Sequence, residues 1–186
     1  MSTVVLAPAL WRATPAAELL RDLVQEELPR RYGKLFDRIL LMAGGKSDYL
    51  EAAVKNEVLG AVAFGAPATV YFGLWGTAAS ISDTSHGGTA GEVSGGSYDR
   101  VGKTNNTTNF ATVTTGAKVN SNAITFTTAS ANWNGGANIN QVGVLDANAK
   151  TSGDNLLLWS DLTTPKTVLN GDTAQFNTSA FSWQED

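Results

Sequence analysis

From Pro67 onward the chain alternates short apolar runs with turns rich in Gly, Asn and Thr, roughly every 8 to 12 residues. That spacing is too short for helices and suits antiparallel strands. The opening run, Ala68-Thr-Val-Tyr-Phe-Gly-Leu-Trp75, is rich in β-branched and aromatic residues and predicts a strand near the domain centre. Further strands are predicted over residues 98–103, 110–115, 123–127, 139–146, 156–162, 166–169, 172–177 and 181–183. Alternation is clearest in Ile124/Phe126 and Val142/Val144. Asn170-Gly171 carries a tight-turn signal and predicts a hairpin joining Thr167-Val168 to residues 174–176. Trp75, Phe126, Trp133, Trp159 and Phe176 are the expected core. Residues 76–96 are expected to form a long polar loop. The predicted fold is mainly β, an antiparallel β-sandwich or jelly-roll with an N-terminal α-helical extension.

Charge falls away along the chain. The first 67 residues hold eight Lys/Arg and eight Asp/Glu, whereas the following 119 hold five and nine. Thr14-Pro15 reads as a helix start, with Pro where its missing N–H costs nothing. Leu19, Leu20, Leu23, Val24 and Leu28 then form one apolar stripe, which Pro29 breaks. A second stripe, Tyr32, Leu35, Phe36, Ile39 and Leu40, ends at Gly44-Gly45. Ser47 is the predicted cap of a third helix over residues 47–59, with Asp48 and Glu51 in the first turn. The expected division is therefore a helical attachment extension, residues 1–46, and a short helix plus β-sandwich, residues 47–186.

Chemical motifs are sparse, and each has a plainer structural reading. Gly44-Gly45-Lys46-Ser47 before a helix resembles the end of a phosphate loop, but that pattern needs Gly six residues ahead of the Lys, and Leu40 stands there. A helix-cap turn explains it. Asp146-Ala-Asn148-Ala-Lys150 starts like a calcium loop, yet Lys150 replaces the third oxygen ligand, so a hairpin tip is expected. His86 is the sole histidine, and with no Cys in the chain it has no companion ligand; a solvated loop position is expected. Asp161 and Asp172 read as turn residues rather than a paired acid and base. No catalytic residue, cofactor site or metal site is nominated. The longest unbroken apolar run falls far short of the roughly 18 residues that a membrane helix needs, and a net charge of -4 argues against nonspecific nucleic-acid binding. Residues 1–13 lack the basic and apolar regions of a secretion signal.

Several longer words occur in a fixed order: Tyr49-Leu-Glu-Ala-Ala-Val-Lys-Asn-Glu-Val-Leu-Gly60, Ala66-Pro-Ala-Thr-Val-Tyr-Phe-Gly-Leu-Trp75, Gly91-Glu-Val-Ser-Gly-Gly-Ser-Tyr-Asp-Arg100, Ala131-Asn-Trp133, Val142-Gly-Val-Leu-Asp146, Leu156-Leu-Leu-Trp159 and Asn170-Gly-Asp172. In this order the chain resembles a widespread family of small tailed-bacteriophage virion proteins often labelled tail-fibre-like. The resemblance covers residues 47–183 and implies a non-enzymatic structural role on a β-sandwich assembled in copies, in virions built in the host cytoplasm. Expected partners are copies of the chain itself, as a homotrimer or other homo-oligomer, and virion proteins such as capsid or neck subunits. Docking is expected through the apolar faces of the extension, with Trp11, Leu20, Val24, Tyr32, Leu35, Phe36 and Ile39 as interface residues. Capsid decoration or a head-neck position is the first expectation, because no repeated shaft is visible. The alternative is a tail-fibre or receptor-binding module for a host-surface carbohydrate, with Trp133 or the loop of residues 76–96 stacking on sugars.

Overall fold

The computed structural model describes residues 44–77, 80–113 and 117–183. The two helices expected within residues 1–43 lie outside the described residues. In chain order the elements are β1 (Gly44–Lys46), α1 (Asp48–Leu59), β2 (Thr69–Gly76), β3 (Val101–Thr104), β4 (Phe110–Thr112), β5 (Lys118–Asn120), β6 (Ile124–Thr125), a 3-10 turn (Trp133–Gly136), β7 (Ile139–Leu145), β8 (Leu156–Lys166), β9 (Gln175–Phe176) and β10 (Ser182–Trp183). The main sheet has the order β1-β8-β7-β2-β3; β10-β5-β4 and β6-β9 form two smaller sheets. Among the described residues every strand pair is antiparallel, so the predicted mainly β, antiparallel class holds for them.

Both faces of the main sheet are covered, which is why β2 and β7 read as nearly continuous apolar runs. Val70, Phe72 and Leu74 of β2, with Val142 and Val144 of β7, point into the larger core, where Phe126 and Trp133 are also buried. Phe110 stacks on Phe72 at 6.1 Å between centroids, and Phe181 meets the same ring edge-on at 5.2 Å, fastening the β10-β5-β4 sheet over that face. The opposite face carries a smaller core of Trp75, Ile81, Leu145 and Leu156, with Trp159 packed against it. Here Gly73 and Gly143 face each other across β2 and β7. A Cβ on either would lie 2.9 Å from Cζ3 of Trp75, so the glycine pair makes the floor on which the indole rests.

The sequence reading needs correction at several places. Gly44–Lys46 is not a helix-ending turn but an edge strand paired with β8. Ser47 follows as the predicted N-cap: its hydroxyl accepts from Leu50 N–H and donates to the Leu156 carbonyl. The strand expected over 156–162 runs on through Pro165 to Lys166 as β8, whereas the separate strand expected over 166–169 does not form beyond Lys166. The ladder tolerates proline there because its register jumps from Gln141↔Asp161 to Ile139↔Lys166, leaving the intervening residues without an N–H to supply. Asn170-Gly171 does turn the chain: Asp172 N–H donates to the Leu169 carbonyl, with Gly171 at φ 89°. Its flanks form no hairpin, since β9 pairs with β6 instead. The strand expected from Tyr98 starts only at Val101, because Tyr98 and Arg100 are drawn into a buried polar cluster. β5, with one apolar side chain, was too short to be seen in the sequence.

Gly143→Ala is expected to lower stability by about 1–3 kcal/mol, because the new methyl meets Trp75 and Leu156 Cδ1 at 2.9 Å. Gly45→Ala, with no described atom within 4 Å, should stay within about 0.5 kcal/mol of wild type. Urea melts of the two variants check this, and equal midpoints would contradict the glycine floor.

Candidate functional site

Arg100 is the only arginine after residue 38 and stands in a weakly charged domain. Its side chain is fully buried against two acidic partners. Nε and Nη2 donate to the two carboxylate oxygens of Glu92 at 2.9 and 2.8 Å, a bidentate fork. Nη1 donates to Asp154 Oδ2 at 2.7 Å and to the Ala147 carbonyl at 2.9 Å, while Nη2 also reaches the Gly87 carbonyl at 2.7 Å. All five guanidinium N–H groups therefore have acceptors. Burial alone would weaken this charge, but the hydrogen bonds and charge of Glu92, then those of Asp154, outweigh it and hold the guanidinium above its ordinary pKa.

The cluster extends outward. Tyr98 donates its hydroxyl to Glu92 Oε1 at 3.1 Å and accepts from Leu74 N–H of β2 at 2.8 Å. Burial first, and the Glu92 charge second, push its phenol well above the usual range. Burial opposes ionisation of Asp154, yet Arg100 and the Lys150 backbone N–H (2.7 Å) hold its carboxyl below the ordinary value. Lys150 pairs with Asp99 at 3.1 Å and lies 5.0 Å from the Tyr98 ring centre. One cation thus joins residues 87–92, the strand approach at 98–100 and the β7–β8 loop. In chemical terms it is a clamp: its charges are compensated and shielded from solvent, so they are unsuited to proton transfer with a ligand.

The residues that tempted a chemical reading are structural too. His86 is half-buried rather than solvated; it bridges Asn155, and its Nδ1 accepts from Gly88 N–H at 3.0 Å. Asp146 holds the base of the β7–β8 loop by accepting from both the backbone and side chain of Asn155. Asp161 accepts from Gln141, whereas Asp172 accepts from Leu169 N–H at a turn. Among the described residues no group of three or more His, Cys, Asp or Glu is placed to hold a metal, and no helix is long and apolar enough to cross a membrane. Trp133 is fully buried, with Nε1 donating to the Gly96 carbonyl at 2.9 Å, so it presents no face to a sugar. The loop of residues 76–96 buries Ile81 and Val93 against the sheet and does not project as a polar arm. The interface residues nominated from sequence, Trp11, Leu20, Val24, Tyr32, Leu35, Phe36 and Ile39, lie outside the described residues.

The described residues also form depressions. A groove of about 540 Å³ opens between α1, the face of β2 carrying Val70 and Phe72, and the β10-β5-β4 sheet. A smaller cleft of about 350 Å³ lies near β9, with Lys166, Asp172 and Gln175 on its rim. Gln175 already bonds Thr125 and Asn177, and Asp172 is held by its own turn, so the polar groups of the smaller cleft are largely committed.

The described domain spends its buried charge on fastening its own loops and presents apolar surface in the larger groove. The family model described as Podophage GP4 fiber I protein gp80 matches residues 45–184, and the chain belongs to this family. It is thus a bacteriophage virion structural protein. No curated protein matches the chain. The family assignment agrees with the virion resemblance read from the sequence. Arg100 went unnoticed there, although a lone arginine among few charges was the available signal.

Replacing Arg100 by Met leaves Glu92 and Asp154 buried without their cation and is expected to cost about 3–5 kcal/mol in urea melts. Asp154 ionises more readily folded than unfolded, so its contribution is complete above about pH 4 and is lost as pH falls through the lower folded value. Asp154→Asn should therefore flatten the acid limb of the stability profile as well as lowering stability near neutrality. An unchanged acid limb would remove Asp154 from the account.

Proposed function

We propose that the chain is a non-enzymatic subunit of a fibre on the phage particle. In this reading residues 44–183 form the body, copies of the chain assemble with one another, and the leading segment attaches the assembly to neighbouring virion proteins. The observation that carries the reading is the extent of the family match: residues 45–184 run from within β1 past β10, so the family's unit is the whole β domain. The printed family description is that of a fiber protein, which favours a fibre over capsid decoration. Burial of Trp133 removes the side chain on which carbohydrate stacking was based.

Attachment falls to residues 1–43 by their patterning. Leu20 and Val24 lie on one apolar stripe, Tyr32, Leu35, Phe36 and Ile39 lie on a second, and Trp11 precedes both. At about 25 cal/mol per Å² of apolar area removed from water, faces of this kind supply several kcal/mol before ordering costs. Capsid and neck subunits are the partners that this chemistry would serve in the particle.

Deleting residues 1–43 keeps β1, whose three residues pair with β8. The expected product is a folded β domain, with native-like circular dichroism, that is absent from purified particles. Incorporation at wild-type level, read by immunoblotting of particles, would refute attachment through the leading segment.

A further inference from the structure

α1 is a helix without enough partners. Its twelve residues are about the length at which an isolated helix is only marginal in water, so its stability has to come from packing an apolar face. Yet Leu50 is its only buried residue. Of the seven large hydrophobic side chains exposed among the described residues, five belong to α1 or the segment just after it: Tyr49, Val54, Val58, Leu59 and Val62. Val58 is 73% exposed and Leu59 87%. A row of this kind on one short element marks an interaction surface rather than scattered surface apolarity.

The open groove lies beside this row. Leu50 and Val54 line it together with Phe72, Phe110 and Phe181, while Lys118 stands on its wall. Among the described residues no carboxylate lines it. α1 carries the opposite balance: Asp48, Glu51 and Glu57 against Lys55, and Lys55 is already tied to Glu51 at 3.0 Å. One surface therefore holds both halves of a joint, an apolar row with acidic Glu57 beside it and an apolar trough with cationic Lys118.

We propose that the groove receives α1 of a second copy of this chain, with Val58, Leu59 and Val62 entering the apolar trough and Glu57 facing Lys118. This deepens, and rests on, the reading that the chain assembles with itself. Complementarity in both hydropathy and charge is what selects a second copy: a chain carrying both halves needs no other molecule to cover them. Because Val58, Leu59 and Val62 do not line the trough, each copy can give these residues to one neighbour and receive those of another. A head-to-tail contact of this type closes into a ring when its rotation permits.

The test uses the full-length chain, its mass measured by light scattering across a range of concentrations, and exploits the absence of native cysteine. Val58→Asp/Leu59→Asp alters only exposed side chains; it should keep the native-like circular dichroism of the β domain while weakening self-association by roughly tenfold or more. Charge provides a second measurement. Lys118→Glu should weaken assembly, and Glu57→Lys in the same chain should restore it. Leu59→Cys and Lys118→Cys chains, co-expressed with distinguishable tags and oxidised, should give mainly the mixed disulfide. An assembled wild type whose mass is unchanged by these substitutions, and which forms no mixed disulfide, would overturn the α1 joint while leaving self-assembly intact. A wild type that is monomeric at all concentrations would overturn self-assembly and the joint together. Variants that stay assembled but drop out of particles would show that another virion protein occupies the groove, and would also overturn the proposal.

Discussion

The Arg100 guanidinium, closed between Glu92 and Asp154, is the interaction on which the arrangement of the domain depends. Several kcal/mol of desolvation would weigh against a lone buried charge. Here two carboxylates and two backbone carbonyls accept from it. Those acceptors come from sequence-distant segments, so the charge is compensated only when all of them are in place. The loop bearing Glu92 is thereby held across the second face of the main sheet, where Ile81 covers Trp75. Tyr98 then links the same carboxylate to the backbone of β2. An apolar residue in place of Arg100 would not select one loop arrangement over others.

The covered second face explains the unusual reading of the central strands. A sheet packed on one side alternates apolar and polar residues, whereas β2 and β7 are buried along almost their whole length. Gly73 and Gly143 make this possible by leaving space for a single indole where two ordinary side chains would stand. Outside the sheet, packing becomes much thinner. α1 is tied down at its start, where Ser47 bonds both the helix and β8, but its later turns are left to solvent or to another chain.

The strands and turns built on local patterning were legible in the sequence. β2 and β7 were visible from their apolar runs, the start of α1 from Ser47 with Asp48 and Glu51, and the core from Trp75, Phe126 and Trp133. Where pairing depends on distant segments, local pattern was insufficient. Gly44–Lys46 carries no strand signal and becomes one only because β8 offers a free edge. Residues 163–165 fell between two predicted strands, yet they belong to β8, whose ladder skips that stretch. Asn170-Gly171 correctly indicated a turn, but the partner of the following strand was decided by packing of Phe176 near Phe126. The polar cluster was hidden for the same reason: Glu92, Arg100 and Asp154 acquire their meaning only once three loops have met.

The central claim is that this β domain serves as a repeated fibre component on a phage particle. Reconstruction of intact particles by electron cryomicroscopy tests it most directly, because the strand order and the paired glycine floor under Trp75 give the domain a recognisable density. The account predicts several copies of the domain, symmetrically arranged in a fibre, with the chain ahead of Gly44 directed toward the site of attachment. Single copies with no neighbouring copy, or density spread over the capsid lattice with none in a fibre, would contradict it.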